Sequence, residues 1–150
     1  MNASSVLPDC PLCREAGGIL VFQAPRWRLI RAQEPSFPAF YRLIWQDHVA
    51  EFSDLDASLR QACMEAVCAV EQVLREALRP TKINVASLGN VVPHLHWHVI
   101  ARFDWDSHFP NPVWGAALRA LAEPAERRLP LSLEALDQRM SQRLQQLPAC

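Results

Sequence analysis

His94, His96 and His98 occupy every second position of VVPHLHWHVIARF, residues 91–103, and are three of the chain's five histidines. Side chains on a strand alternate between faces, so the three imidazoles are expected to share one face. Imidazole serves as nucleophile, acid, base or metal ligand near neutral pH. The alternate positions, Leu95, Trp97 and Val99, are apolar and suited to a core. Three solvent-facing histidines without a chemical role would leave the clustering unexplained.

A second constellation is Cys10-Pro11-Leu12-Cys13. A Cys-x-x-Cys knuckle brings two thiolates to one ion, and zinc then takes two more ligands. The histidines available are His48, His94, His96, His98 and His108. The five cysteines, Cys10, Cys13, Cys63, Cys68 and Cys150, are odd in number. The N-terminus also lacks a basic segment followed by an apolar one, so a disulfide framework is not expected. Metal binding or buried thiols fit better, and a cytoplasmic location is expected. A third group is Asn84, Ser87, Gly89 and Asn90. Glycine exposes backbone N–H groups and asparagine can donate to phosphate oxygens, which makes a phosphate clamp beside the histidines. Arg102 stands on the histidine face by parity and is a further candidate for phosphate.

These residues need a scaffold. The 150-residue chain is half apolar and 21% charged with net charge −1, as expected for a single globular domain over residues 1–150. No block of like charge suggests nucleic acid or a membrane surface as partner. No apolar run reaches the roughly 18 residues of a membrane span. Residues 1–18 read as an arm carrying the cysteine knuckle, 19–103 as a core and 104–150 as a C-terminal extension. Strands are expected at Ile19–Phe22, Trp27–Arg31, Phe40–Trp45, Lys82–Leu88 and Val91–Phe103. Ser53 is expected to cap a helix running to Leu78, with Leu59, Cys63, Val67, Val70 and Leu74 in its buried stripe. Gly89-Asn90 is expected to join the last two strands as a short antiparallel connection. Short helices are expected at Val113–Leu121 and Ser132–Leu147. The order gives an α+β fold with an antiparallel sheet of about five strands, one long helix and a helical tail.

His94-Leu-His96-Trp-His98-Val99-Ile100, preceded by Gly89-Asn90-Val91-Val92-Pro93, resembles the signature of the histidine triad (HIT) family. The resemblance implies a HIT-like fold, a nucleotide substrate and a homodimer. It implies that His96 attacks the α-phosphate to form a covalent nucleotidyl-histidine, while His98 serves the leaving oxygen. Asn90 would stand for the family's glutamine on a phosphate oxygen, with Gly89, Asn84 and Arg102 also on the phosphate side. The zinc-containing branch of the family implies one structural zinc per chain, on Cys10, Cys13, His48 and His94. The sequence departs from the family at Ala32, near the usual ribose-binding side chain, where Gln33 or Glu34 would have to substitute. Apolar residues of Ile19–Trp27 are candidates for the base pocket. The activity implied is that of a phosphoanhydride or phosphoramidate hydrolase, or a nucleotidyl transferase.

Two rival readings remain. One is a metallohydrolase with a catalytic ion on the three histidines. A straight strand disfavours it, because His94 and His98 would lie about 13 Å apart at Cα. The other is a nucleotide-binding module without catalysis, motivated by Ala32.

Overall fold

The structure, a computed structural model, describes residues 5–149. Five antiparallel strands form one sheet in the order β1-β2-β3-β5-β4. These are β1 (Ile19–Gln23), β2 (Trp27–Arg31), β3 (Phe40–Trp45), β4 (Lys82–Ala86) and β5 (His96–Arg102). A single helical turn, α1 (Pro11–Arg14), precedes them. The long helix α2 (Ala57–Leu78) links β3 to β4, and α3 (Leu133–Gln145) closes the chain. The α+β architecture expected from the sequence is the one observed.

Strand alternation divides the sheet by function. Leu29, Tyr41, Leu43, Trp45, Val99 and Ala101 point to one side and join a single buried cluster. That cluster also takes Cys63, Val67, Val70 and Leu74 of α2 and Leu136, Met140 and Leu144 of α3. Full burial of such side chains is worth about 1.5–3 kcal/mol each as an upper range. Both helices therefore lie on one side, and the other is left for chemistry. It carries Arg28, Phe40, Arg42, His96, His98 and Arg102, set side by side by register: Arg42 pairs with His98 and Ile44 with His96. The C-terminal extension is fastened to the helical side by an ion pair. Arg31 Nε donates to both Asp137 oxygens at 3.0 Å, and Tyr41 Oη donates to Oδ1 at 2.6 Å.

Four local expectations are corrected. Helix α2 is capped by Asp56, which accepts from Leu59 N at 2.9 Å, and not by Ser53, which lies in a 3-10 turn at Phe52–Asp54. No helix forms at 113–121. Leu118 N and Arg119 N instead donate to Ser107 O, a partner outside any local helical turn. Strand β5 begins at His96 rather than Val91. Pro93 has no N–H to give a ladder, and His94 N donates back to Val92 O at 2.8 Å. The β4–β5 connection is consequently a loop over residues 87–95 and not a tight hairpin. Gly89 takes φ +87° within it, a conformation open to glycine.

Candidate functional site

His96 and His98 project from β5 with ring centroids 4.9 Å apart and are both buried. They line a cleft of about 500 Å³ together with Gly89 and Asn90 of the β4–β5 loop, Arg42 of β3 and Trp114 of the extension. This size suits a small-molecule ligand. Leu88, Val91 and Trp114 are exposed apolar side chains on the cleft wall.

Hydrogen bonds assign different states to the two rings. Nδ1 of His96 lies 2.6 Å from the carbonyl of His94. A carbonyl only accepts, so Nδ1 carries the proton and Nε2 keeps its lone pair. Burial lowers the His96 pKa more than this bond raises it, which favours the neutral ring. His98 has the opposite tautomer. Nε of Arg42 donates to its Nδ1 at 3.3 Å, so a neutral His98 carries its proton on Nε2. Burial, with His96 and Arg42 adding to it, pulls the His98 pKa down to about 3. Its ring also makes T-shaped contacts with Phe40 and Trp114, at 5.5 and 5.0 Å between centroids. The pair thus offers a lone pair and an N–H donor side by side.

His94 belongs to another group. Cys10, Cys13, His48 and His94 bring their ligand atoms within 4.8 Å of one another, the one such metal-type cluster among the described residues. Sγ of Cys10 and of Cys13 each lie 3.5 Å from Nδ1 of His94, and Cys13 Sγ lies 3.5 Å from Nδ1 of His48. A tetrahedral ion with bonds of about 2.3 Å to sulfur and about 2.0 Å to nitrogen sets those atoms about 3.5 Å apart. The residues therefore fit a metal ion. Nε2 of His94 lies 2.7 Å from Trp45 O, which fixes the proton there and frees Nδ1 for the ion, the usual outer support of a metal-bound histidine. Burial and the adjacent Cys10 raise the Cys13 thiol, and a cation is what would favour both thiolates.

The arm carrying the cysteines is held by Arg28, a residue that sequence reasoning missed. Its guanidinium donates to Leu12 O and Glu15 O at 2.8 Å and to Ala16 O at 3.0 Å. Gly18 lets the arm lie close, since a Cβ there would meet Arg31 O at 2.6 Å. The one signal available in sequence was a charged residue at an alternating position between Trp27 and Leu29.

Other expected site residues fall elsewhere. Asn84 and Arg102 do not line the cleft. Arg102 is 1% exposed and each nitrogen of its guanidinium has a partner. It donates to Asp106 at 2.8 and 3.1 Å, to Asn84 Oδ1 at 2.9 Å and to Asn111 O at 2.8 Å. Parity put Arg102 on the right face, but Asp106, a partner just beyond the strand, draws it into a buried network. Both residues are committed to this network in the structure and stand outside the lining of the cleft. Ala32 packs with Phe37, Phe40 and Ile100, so a ribose contact from it is excluded by chemistry and by burial. Gln33 and Glu34 line a different surface pocket. No residue of Ile19–Trp27 reaches the cleft, whose apolar walls come from Leu12, the β4–β5 loop and Trp114. His108 stands apart from the metal cluster, with Nδ1 2.8 Å from Ser107 Oγ.

The architecture matches known proteins. The structure is similar to a histidine triad protein from Bradyrhizobium japonicum, with TM-score 0.71 and 26% identity, over 92% of this chain and 96% of that one. It is similar to a histidine triad (HIT) protein from Sinorhizobium meliloti, with TM-score 0.66 and 27% identity, over 83% of this chain and 88% of that one. In fold it also resembles a histidine triad protein from Marinobacter aquaeolei, with TM-score 0.70 and 24% identity, over 89% of this chain and 93% of that one. No curated protein matches the sequence. The HIT domain model matches residues 14–105, a stretch that holds the three histidines and the whole sheet, and the chain belongs to the HIT domain family.

Proposed function

We propose that this protein is a nucleotide hydrolase or nucleotidyl transferase acting at an α-phosphate through a covalent intermediate on His96. The observation that carries the reading is the pair of complementary tautomers, a free Nε2 on His96 beside an Nε2–H on His98. Nε2 of His96 attacks phosphorus, and the bond from phosphorus to the leaving group breaks with its electron pair going to that group. His98 Nε2–H donates a hydrogen bond to it. Water or another acceptor then adds to phosphorus, the electron pair returns to Nε2 of His96, and the acceptor's proton leaves to solvent. Gly89 and Asn90 hold the phosphate oxygens at the loop, and exposed Leu88, Val91 and Trp114 offer apolar surface to a base.

The cation at Cys10, Cys13, His48 and His94 is proposed to be zinc, one per chain. Four protein ligands leave no open position, so its role is to hold the arm and the start of β5. Keeping the thiols available for it suits a reducing, cytoplasmic compartment. The metallohydrolase alternative loses its basis, because the cluster contains His94 but neither His96 nor His98. A homodimer is proposed through β4, an edge strand with an exposed Val85.

The test is turnover of a panel of nucleoside phosphoanhydrides and phosphoramidates. Release of nucleoside monophosphate by the wild type, abolished in His96→Ala, supports the reading. Undiminished release by that variant refutes it. Binding without release by the wild type favours the non-catalytic module.

A further inference from the structure

Arg42 is the charge in the cleft that the family signature does not account for. Register pairs it directly with His98 across β3 and β5. Its guanidinium lies 4.9 Å above the Phe40 ring, and Nε is occupied by His98. Among the described residues no carboxylate lies within ion-pair distance of it, and exposed Glu34 acts on it only through its charge from farther away. Its two terminal nitrogens accordingly keep their donors for a ligand. A half-buried guanidinium with no carboxylate in direct contact is stabilised by an anion that completes it.

We propose that Arg42 is a specificity-determining residue that binds the anionic leaving group, so that the cleft favours nucleoside phosphoanhydrides over phosphoramidates. The inference rests on the nucleotidyl-transfer reading above. Its logic is a balance of charge. In a phosphoanhydride, the electron pair of the breaking P–O bond stays on an oxygen that leaves as a phosphate anion. That group needs a positive charge and a hydrogen bond, which Arg42 and His98 Nε2–H supply without transfer of a proton. In a phosphoramidate, the pair stays on nitrogen, which must take up a proton to leave as an amine. A neutral His98 giving up its Nε2 proton would become an imidazolate. An imidazolium would do the task, but the adjacent guanidinium disfavours that cation and already occupies Nδ1. An amine also gains nothing from a guanidinium beside it. The same arginine therefore helps one leaving group and hinders the other.

The experiment compares kcat/KM for a dinucleoside triphosphate and for the phosphoramidate of the same nucleoside, in wild type, Arg42→Met and Arg42→Lys. Affinity for inorganic tripolyphosphate is measured in parallel by calorimetry. The wild type is expected to prefer the triphosphate. Arg42→Met should lower the triphosphate-to-phosphoramidate ratio by about 10- to 100-fold, the range for losing a charged hydrogen-bond partner. Arg42→Lys should recover part of that ratio, and tripolyphosphate should bind Arg42→Met at least about tenfold more weakly. A ratio unchanged in Arg42→Met, even with both rates reduced, overturns the proposal, as does a wild-type preference for the phosphoramidate. If the wild type turns over neither substrate, the function proposed above fails. The anion site is then judged on tripolyphosphate alone: weaker binding to Arg42→Met upholds it, and equal binding overturns it.

Discussion

Replacing Asp106 should damage the protein through Arg102, and the size of the effect follows from their surroundings. The Arg102 and Asp106 side chains are 2% and 3% exposed, and the carboxylate takes Nε and Nη2 of the guanidinium. It also accepts from the backbone N–H of Phe103, His108 and Phe109 at 3.2, 3.0 and 2.7 Å. Asp106→Ala leaves a buried guanidinium short of its counter-charge, which costs about 3–5 kcal/mol. The freed N–H groups lie in a loop that can relax toward water, so the ion pair dominates and about 4 kcal/mol is expected. Asp106→Asn keeps the shape and loses the charge, for about 2 kcal/mol. At this chain length 1 kcal/mol moves Tm by about 2–4 °C, so drops of about 8–16 °C and about 4–8 °C are expected. Acid supplies an internal check. Burial opposes the carboxylate, but Arg102 and the backbone N–H groups outweigh it and hold Asp106 below the ordinary carboxylate range. A depressed folded pKa means the contribution is complete above the unfolded value of about 3.9 and fades as pH falls toward the folded one. Urea unfolding of wild type and Asp106→Asn should show a constant gap above about pH 5 that narrows below about pH 4. A loss under about 1 kcal/mol in Asp106→Ala, or a gap that widens in acid, would refute this reasoning.

Two further perturbations test separate parts of the structure. Cys13→Ser should reduce bound metal from about one ion per chain toward none and lower Tm, as measured by elemental analysis and calorimetry; unchanged metal content would sink the four-ligand assignment. Tyr41→Phe removes a buried hydroxyl whose pKa is raised by burial and by Asp137. A raised folded pKa places its contribution, about 1 kcal/mol, below the unfolded value of about 10, with loss above it. The stability gap to wild type in urea should therefore shrink as pH rises past about 10, and a gap that grows there would contradict the role given to Tyr41.

The sequence was legible where one local rule decided the outcome. Alternation identified the strands and the core side of β5, and the spacing of Cys63, Val67, Val70 and Leu74 marked the buried stripe of α2. The four metal-type ligands were legible through the family likeness, since nothing local ties His48 to Cys10. What escaped was decided by long-range contact. Parity could not show that Asp106 would engage Arg102 or that Arg28 would clasp the arm. Nor could it show that Ser107 would hold residues 118 and 119 out of a helix. His94 illustrates the limit within the triad itself: the spacing made it one of three on a strand, while Pro93 and the cysteine knuckle take it off the strand. Arg42 was read as an ordinary strand position, because its meaning depends on the register that sets it opposite His98.

The central claim is that His96 carries the nucleotidyl group. The most direct measurement is rapid acid-free quenching of wild type with an α-labelled nucleotide, followed by peptide mapping by mass spectrometry. The account predicts an acid-labile nucleotidyl adduct on Nε2 of His96, absent in His96→Ala. An adduct on His98 or another residue, or turnover that persists in His96→Ala, would contradict it.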